Sequence, residues 1–163
     1  MKRLTIGVHA CTETLALLIA MAWADGTLAD TEKDAIRGAA DVFNLPKELR
    51  ERLEELMKKA APLDQLLFDT VSEHDRAFAF VAATWMAGAD ENVDPKEEAL
   101  LSELANKLAL SHDQIKDLTA IARDLPKRGD KHPDAKEISA LFTAIPRQLH
   151  GIDESESVEL VIE

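Results

Sequence analysis

The sequence predicts an all-α protein, a single globular domain of about seven to eight helices. Ala and Leu dominate the apolar residues, which make up 46% of the chain, and runs of β-branched residues are scarce. This composition favours helices and is sufficient for a buried core. The length of 163 residues suits one domain and is short for two. Apolar side chains also recur at helical spacing through most of the chain.

The first half of the chain predicts four helices. The first covers residues 5–23 and is almost wholly apolar towards its C-terminus, which indicates a central, buried helix. The second covers residues 31–43 and ends at Asn44-Leu45-Pro46, where the proline suits the first turn of a third helix. The third helix has a leucine-rich face opposite a highly charged one, and a short fourth helix covers residues 62–71.

Capping signals define three further helices. Ser72 and Asp75 resemble a capping box at the start of a helix over residues 73–87. The sequence Asp-Pro-Lys-Glu at 94–97 combines an acceptor cap, a proline at the first position and a glutamate at the third, and predicts a helix over 95–109. A break at 110–111 then recaps the chain into a helix that ends near residue 124.

The C-terminal region is predicted to contain a loop over residues 125–133 and a last helix over about 134–149. The acidic tail, residues 151–163, is expected to be mobile, although residues 158–162 alternate enough to pair with a strand edge. The globular domain is therefore predicted to span residues 1–150.

A constant offset of 65 residues relates the two halves of the chain, as in Asp25 and Asp90 (90 − 25 = 65). The same offset joins Glu32 to Glu97, Ile36 to Leu101, Ala40 to Ala105, Phe43 to Leu108 and Leu53 to Leu118. The helix breaks after Phe43 and Leu108 keep this register, which apolar periodicity alone would not produce. We predict two copies of a three-helix unit, about residues 8–60 and 73–125.

The chain is strongly acidic, since 19 Lys and Arg residues against 31 Asp and Glu residues leave a formal charge of −12. Phosphate binding needs clustered Lys and Arg, so this balance disfavours nucleic acid and anionic membrane surfaces as partners. It suits cations, a basic protein partner, or solubility alone.

The N-terminus imitates a secretory signal, because Lys2 and Arg3 precede an apolar run that ends in Ala-Trp-Ala at 22–24. Polar residues between positions 9 and 14, and a similar apolar run inside the chain at 80–88, argue against a cleaved signal. No apolar run reaches the roughly 18 residues of a transmembrane helix. We expect a cytoplasmic protein that does not insert into membranes.

Two acidic junctions carry the most specific motifs. The pattern Ala-Asp-Gly-x-Leu-x-x-x-Glu at residues 24–32 has an echo, Ala-Asp-x-x-Val-Asp-x-x-Glu, at residues 89–97. Each pattern is followed by a helix, ending in Phe-Asn-Leu and Leu-Ala-Leu respectively. Over about residues 8–149 the chain resembles the TerB-like family of tellurite-resistance proteins, to which a domain of a membrane-anchored J-domain co-chaperone is related. Ala29 and Glu91 depart from the family pattern.

The resemblance implies an all-helical fold, a role in stress resistance with other stress-response proteins as partners, and a metal-binding role for acidic residues. On this sequence that role falls on Asp25, Glu32, Asp90 and Glu97.

The chemistry of the junctions agrees with a cation site but also has a simpler explanation. Oxygen ligands grouped in loops suit a divalent cation such as Ca²⁺, Mg²⁺, Mn²⁺ or Zn²⁺, and Asp30 and Asp94 lie near enough in sequence to contribute. Acidic residues at a helix N-terminus also cap free N–H groups and stabilise the helix without metal. An EF-hand does not fit, because a loop starting at Asp90 has Pro95 and Leu101 at positions six and twelve.

Other residues suggest packing rather than chemistry. His9, His74, His112, His132 and His150 share no ligand spacing. The turn between His9 and Glu13 favours a local hydrogen bond over zinc binding, and Trp23 and Trp85 are expected in the core. The lone Cys11 fits a reducing compartment and is more typical of a small buried residue than of a nucleophile.

No phosphate-binding loop, nucleophile elbow or dinucleotide-binding fingerprint is present, so the sequence predicts no enzyme. Two hypotheses remain. The protein is either a stress-response module that binds a divalent cation at its junctions, or a protein-interaction adaptor with an acidic face and no metal site.

Overall fold

The computed structural model describes residues 2–24, 28–60, 63, 66, 72–87, 95–125, 134–152 and 155–163. In this part of the chain, seven helices and a small sheet follow one another. They are β1 (Lys2–Ile6), α1 (Val8–Trp23), α2 (Asp30–Val42), α3 (Lys47–Lys58), α4 (Glu73–Met86), α5 (Pro95–Lys107), α6 (His112–Asp124), α7 (Ala135–Leu149) and β2 (Val158–Ile162). The predicted all-α fold class is confirmed. The short helix predicted over 62–71 and the loop beyond Leu125 fall largely outside the described residues.

The helices α1 and α4 form the centre of the domain. Both are buried along most of their length, and they pack against each other. The buried hydroxyls of Thr12, Thr14 and Thr84 donate to the backbone carbonyl four residues earlier at 2.7–2.8 Å, which satisfies them within their own helix. The backbone N–H of Gly7, just before α1, lies 3.5 Å from Oδ2 of Asp75 in the first turn of α4. The two central helices therefore begin at the same end of the domain.

The four amphipathic helices cover this central pair. α1 packs against α2 and α3, whereas α4 packs against α5 and α6. Their first residues keep the 65-residue offset: Val8 and Glu73, Asp30 and Pro95, Lys47 and His112. This agreement concerns helix boundaries, and the structural equivalence of the two units stays a prediction.

The C-terminal ends of α2 and α5 are capped by the same backbone motif. Asn44 and Ala109 both have a left-handed backbone, with φ of 52° and 57°. The next N–H in each case, of Leu45 and Leu110, donates at 3.1 Å to a carbonyl five residues earlier. These bonds satisfy terminal carbonyls, as in a Schellman motif. The predicted breaks after Phe43 and Leu108 are confirmed.

The last helix, α7, packs against α2, α4 and α6. Its Phe142 is fully buried and stacks on Phe43 of the α2 terminus, with ring centroids 5.0 Å apart. The same ring meets Phe78 of α4 edge-on at 5.0 Å. α7 thus joins the two predicted units through one aromatic cluster.

The strands correct two expectations. β1 and β2 pair in parallel, with Lys2 opposite Val158 and Ile6 opposite Ile162. The first helix consequently begins at Val8 rather than at residue 5, because the preceding residues are extended and bury Leu4 and Ile6. The tail is not a mobile extension over this range, and the alternation of residues 158–162 predicted the strand correctly. No local signal predicted that residues 2–6 form the other strand of this pair.

Candidate functional site

The two acidic junctions, residues 24–32 and 89–97, follow the C-terminal ends of α1 and α4. Because these helices begin side by side and have 16 and 14 residues, they extend over similar lengths, about 24 and 21 Å. Asp25 and Asp90 lie outside the described residues, as do Asp94 and Glu91. Their assignment as metal ligands therefore stays a prediction.

Glu32 lies in the first turn of α2 and is buried. Its Oε1 accepts a hydrogen bond from the backbone N–H of Ala29 at 3.1 Å. Ala29 has no side-chain oxygen to return a bond to the helix, so Glu32 provides only half of a capping box. The capping explanation accounts for this contact without a metal ion.

The other acidic junction residues that the structure describes also lie in first turns of helices. Asp30 begins α2, is almost fully exposed, and lies 3.9 Å from Nζ of Lys33. Glu97 is half-buried and lies in the first turn of α5, beside Glu98. Among the described residues, no group of three or more His, Cys, Asp or Glu side chains is arranged to hold a metal ion.

In the described part of the chain, Glu13 pairs with Arg52 and not with His9, the local hydrogen-bond partner expected from the sequence. Arg52 of α3 donates from Nε and Nη2 to the two Glu13 oxygens at 2.8 and 2.6 Å. The Glu13 side chain is 4% exposed and the Arg52 side chain 28%. The hydrogen bond to Glu13 raises the pKa of Arg52 above its ordinary value, against the effect of burial. This bidentate pair fastens α3 to α1.

Cys11 and the tryptophans support the packing interpretation. Cys11 is fully buried, and burial together with the charge of Asp75 raises the pKa of its thiol to about 12. A thiol that stays protonated is a poor nucleophile. Trp23 donates from its indole nitrogen to the Leu56 carbonyl at 3.2 Å, and Trp85 is buried in the core.

A groove of about 270 Å³ lies between α2 and α3. Apolar side chains line it, and two ion pairs flank it. The apolar residues are Ile36, Ala40, Leu53 and Met57, and the pairs are Arg37 with Glu54 and Arg50 with Asp41. The helix spacing of these residues predicted a core face, but the opening between the two helices depends on how they pack.

Sequence reasoning missed a contact between two histidines. The rings of His74 and His150 lie with centroids 4.8 Å apart. The two residues are 76 positions apart (150 − 74), so spacing along the chain could not reveal the pair. The pKa of His150 is lowered, first by burial and then by the charges of His74 and Lys2.

Comparison with known protein families decides the relationship. A family model described as tellurite resistance protein TerB matches residues 12–120, which include both junctions and two thirds of the chain. The chain belongs to the TerB family. The resemblance carried by the two junction motifs is thereby confirmed. No curated protein and no solved structure matches the chain significantly.

The TerB match ends within α6, so α7 and both strands of this family member lie outside the matched residues. Among the described residues, no helix combines the length and apolar character needed to cross a membrane.

Proposed function

We propose that this TerB-family protein is a non-enzymatic stress-response module that binds a divalent cation through its two acidic junctions. The ligands are Asp25 and Glu32 of the first junction and Asp90 and Glu97 of the second. Family membership supports the tellurite-resistance-like role. The repetition of an aspartate and a glutamate at the same offset is the single observation that supports the cation.

The arrangement of the central helices supports a shared site. α1 and α4 start at the same end and pack together, so the chain enters both junctions from the opposite end of this helix pair. The carbonyl ends of two helices also favour positive charge there. Ligand oxygens from two junctions then supply the several carboxylates that hard divalent cations require.

Aspartate-to-asparagine substitutions separate a ligand from a turn-forming residue. Asn keeps the size and the side-chain oxygen of Asp but removes its charge. We expect Asp25→Asn and Asp90→Asn each to weaken divalent binding by about tenfold or more, as loss of a ligand should cost no less than loss of a supporting residue. Stability without metal should change by no more than about 0.5 kcal/mol.

The measurement is calorimetric titration of the full chain with Ca²⁺, Mg²⁺, Mn²⁺ and Zn²⁺. Asp113→Asn is the matched control, because Asp113 is also an acidic first-turn residue but belongs to α6, outside the junctions. Affinity that is unchanged in both junction variants, or no binding by the unsubstituted protein, contradicts the proposal.

A second comparison separates ligation by Glu32 from capping. In α7, Glu137 accepts a hydrogen bond from the backbone N–H of Asp134 at 3.2 Å, which is the counterpart of the Glu32 contact. Glu32→Gln and Glu137→Gln therefore make similar changes to a helix start. We expect only Glu32→Gln, and Glu97→Gln with it, to reduce cation affinity. If the cation affinity is unchanged in all three variants, Glu32 and Glu97 are not ligands and contribute only to the starts of their helices.

The second candidate function is a protein-interaction adaptor with an acidic face and no metal site. The groove between α2 and α3 favours it, because an apolar floor between charged rims suits a side chain of a partner protein. A chain with formal charge −12 would select a basic partner. This candidate is the one that remains if the titrations detect no cation.

A further inference from the structure

The histidine pair lies apart from both junctions. His74 is in the first turn of α4, and His150 caps the C-terminal end of α7. Their rings are inclined at 39°, with centroids 4.8 Å apart. Within the described part of the chain, neither ring uses a nitrogen in a hydrogen bond to another residue. The contact thus brings together two imidazoles whose nitrogens no described side chain occupies.

The separation of the rings meets one geometric requirement for joint ligation of a metal ion, the distance between the ring centroids. With metal–nitrogen bonds of about 2.1 Å, two imidazoles at right-angled to tetrahedral positions have centroids about 4.6–5.3 Å apart. The observed 4.8 Å falls within this range. Imidazole is the ligand that Ni²⁺, Cu²⁺ and Zn²⁺ prefer, and Cu²⁺ binds most tightly in that series.

We propose that His74 and His150 form a two-imidazole site for a late first-row transition-metal ion, with Cu²⁺ bound most tightly. Solvent supplies the remaining ligands, since no third His, Cys, Asp or Glu joins the pair among the described residues. A bound ion would link the first turn of α4 to the end of α7, two elements that already pack together.

Charged groups of both signs lie around the pair. Lys2 of β1 opposes a bound cation, but its ammonium lies 4.0 Å from the Glu156 carboxylate. Glu73 and Asp75 flank His74 on α4. The carbonyl end of α7 favours positive charge, whereas the N-terminal end of α4 disfavours it. Partial burial of the ring and the neighbouring cations lower the pKa of His150, which favours the neutral form that ligates metals.

The site is independent of the proposed junction site in position and in chemistry. From His74 to Met86 the helix α4 rises about 18 Å, so an ion between the histidines is far from the second junction. Carboxylates favour Ca²⁺, Mg²⁺ and Mn²⁺, imidazoles favour Cu²⁺ and Ni²⁺, and Zn²⁺ accepts either ligand. The two proposals can therefore fail separately.

The test is titration of the untagged full chain with Cu²⁺, Ni²⁺ and Zn²⁺, with electron paramagnetic resonance of the Cu²⁺ complex. We expect one Cu²⁺ ion per chain, coordinated by two nitrogens. His74→Gln and His150→Gln should each weaken Cu²⁺ binding by about tenfold or more. His112→Gln is the matched control, because His112 is an exposed histidine in the first turn of α6. Its affinity should equal that of the unsubstituted protein.

Circular dichroism establishes that each variant is folded. Should His74→Gln unfold, His150→Gln decides alone, since His150 is exposed. Absence of Cu²⁺ binding by the unsubstituted protein, or undiminished affinity in the folded His150→Gln variant, overturns the proposal. An equal loss in His112→Gln does so too, because it places the ion elsewhere. Cu²⁺ binding that persists in Asp25→Asn and Asp90→Asn supports a site separate from the junctions.

Discussion

The segments α1–α3 and α4–α6 stabilise their central helices with different chemistry. In the first, Glu13 of α1 is buried and paired with Arg52 of α3. Sixty-five residues later the corresponding positions are Phe78 and Asp117 (13 + 65 and 52 + 65). Phe78 is 1% exposed and packs edge-on against Phe142. At positions related by the 65-residue offset, the first segment therefore has an ion pair with a buried carboxylate and the second has a buried aromatic ring.

The comparison of the Glu13–Arg52 pair with Phe78 indicates that a core position can hold either a charged or an apolar side chain. The side chain must fill the available space, and its buried polar atoms must have hydrogen-bond partners. Burying a carboxylate costs desolvation, and a guanidinium that makes two short hydrogen bonds offsets that cost. A phenyl ring has no such cost and adds contact with other rings. We infer that the first segment depends on keeping both members of its pair, whereas the second depends on packing.

The largest effect is expected from breaking the ion pair on one side. Arg52→Ala leaves the Glu13 carboxylate buried without its main partner and should cost about 3–5 kcal/mol of unfolding free energy. Glu13→Ala should cost less, because Arg52 is partly exposed and can regain water. Urea unfolding measures both. Arg37→Ala, which breaks the exposed pair with Glu54, is the control and should cost less than about 1 kcal/mol.

Replacing both members sharpens the same comparison. Glu13→Leu combined with Arg52→Leu imitates the apolar solution of the second segment and should be close to neutral or stabilising. If the double variant is as unstable as Arg52→Ala, the ion pair stabilises the fold by more than is needed to offset the burial of its own charges.

The second segment should respond to loss of volume. Leu104 of α5 is fully buried. Leu104→Ala should cost about 2–5 kcal/mol through lost burial and a residual cavity. The residue 65 positions earlier in the chain is Ala39, which is also fully buried, and Ala39→Leu should cost about 1–3 kcal/mol through overpacking. If urea denaturation gives Leu104→Ala a free energy of unfolding within about 0.5 kcal/mol of that of the unsubstituted protein, the core around Leu104 tolerates a cavity.

A smaller effect is expected where the outer helices end. Ala109 adopts a left-handed backbone that costs an L-residue roughly 1–2 kcal/mol, whereas Asn44 tolerates that conformation better. Ala109→Gly should therefore stabilise the protein by about 1 kcal/mol, and Asn44→Gly by only a few tenths. Thermal unfolding of the two variants compares them. A gain at Asn44 as large as that at Ala109 would remove the distinction between the two turns.

The smallest expected effect is a pH dependence of stability that arises from the Arg37–Glu54 pair of the first segment. The hydrogen bond from Arg37 lowers the pKa of Glu54 against a small effect of burial, whereas the corresponding positions are Ser102 and Thr119 (37 + 65 and 54 + 65). A carboxylate with a lowered pKa stabilises the fold above its unfolded pKa of about 4.3, and this contribution is lost as pH falls through the folded value.

Because the Glu54 side chain is 41% exposed, solvent screening should limit its contribution to well under about 1 kcal/mol. The free energy of unfolding of Glu54→Gln should fall slightly below that of the unsubstituted protein at pH 6, and the difference should be smaller at pH 3. Ser102→Ala, the control, should show no such pH dependence. An equal difference at both pH values would contradict an electrostatic origin.

The helices and the family could be predicted from the sequence because their signals are local. Ser72 accepts from the Asp75 backbone at 3.1 Å, as its three-residue spacing predicted, and α5 begins at the predicted Pro95. The two junction motifs sufficed for the TerB resemblance, and the doubled aspartate-glutamate spacing is what makes them a candidate site. Capping bonds and apolar faces depend on residues within a few positions of one another.

Only the tertiary structure determined the remaining contacts. The parallel strands join Lys2 to Val158 across 156 positions (158 − 2). Glu13 meets Arg52 and His74 meets His150 because particular helix faces pack together. The chain contains many other acidic, basic and apolar residues that could in principle take the place of each partner. Local sequence therefore does not determine which residues meet. The packing of α1 against α3, and of α4 against α7, selects the partner by bringing one side chain within hydrogen-bond or ring-contact distance of another.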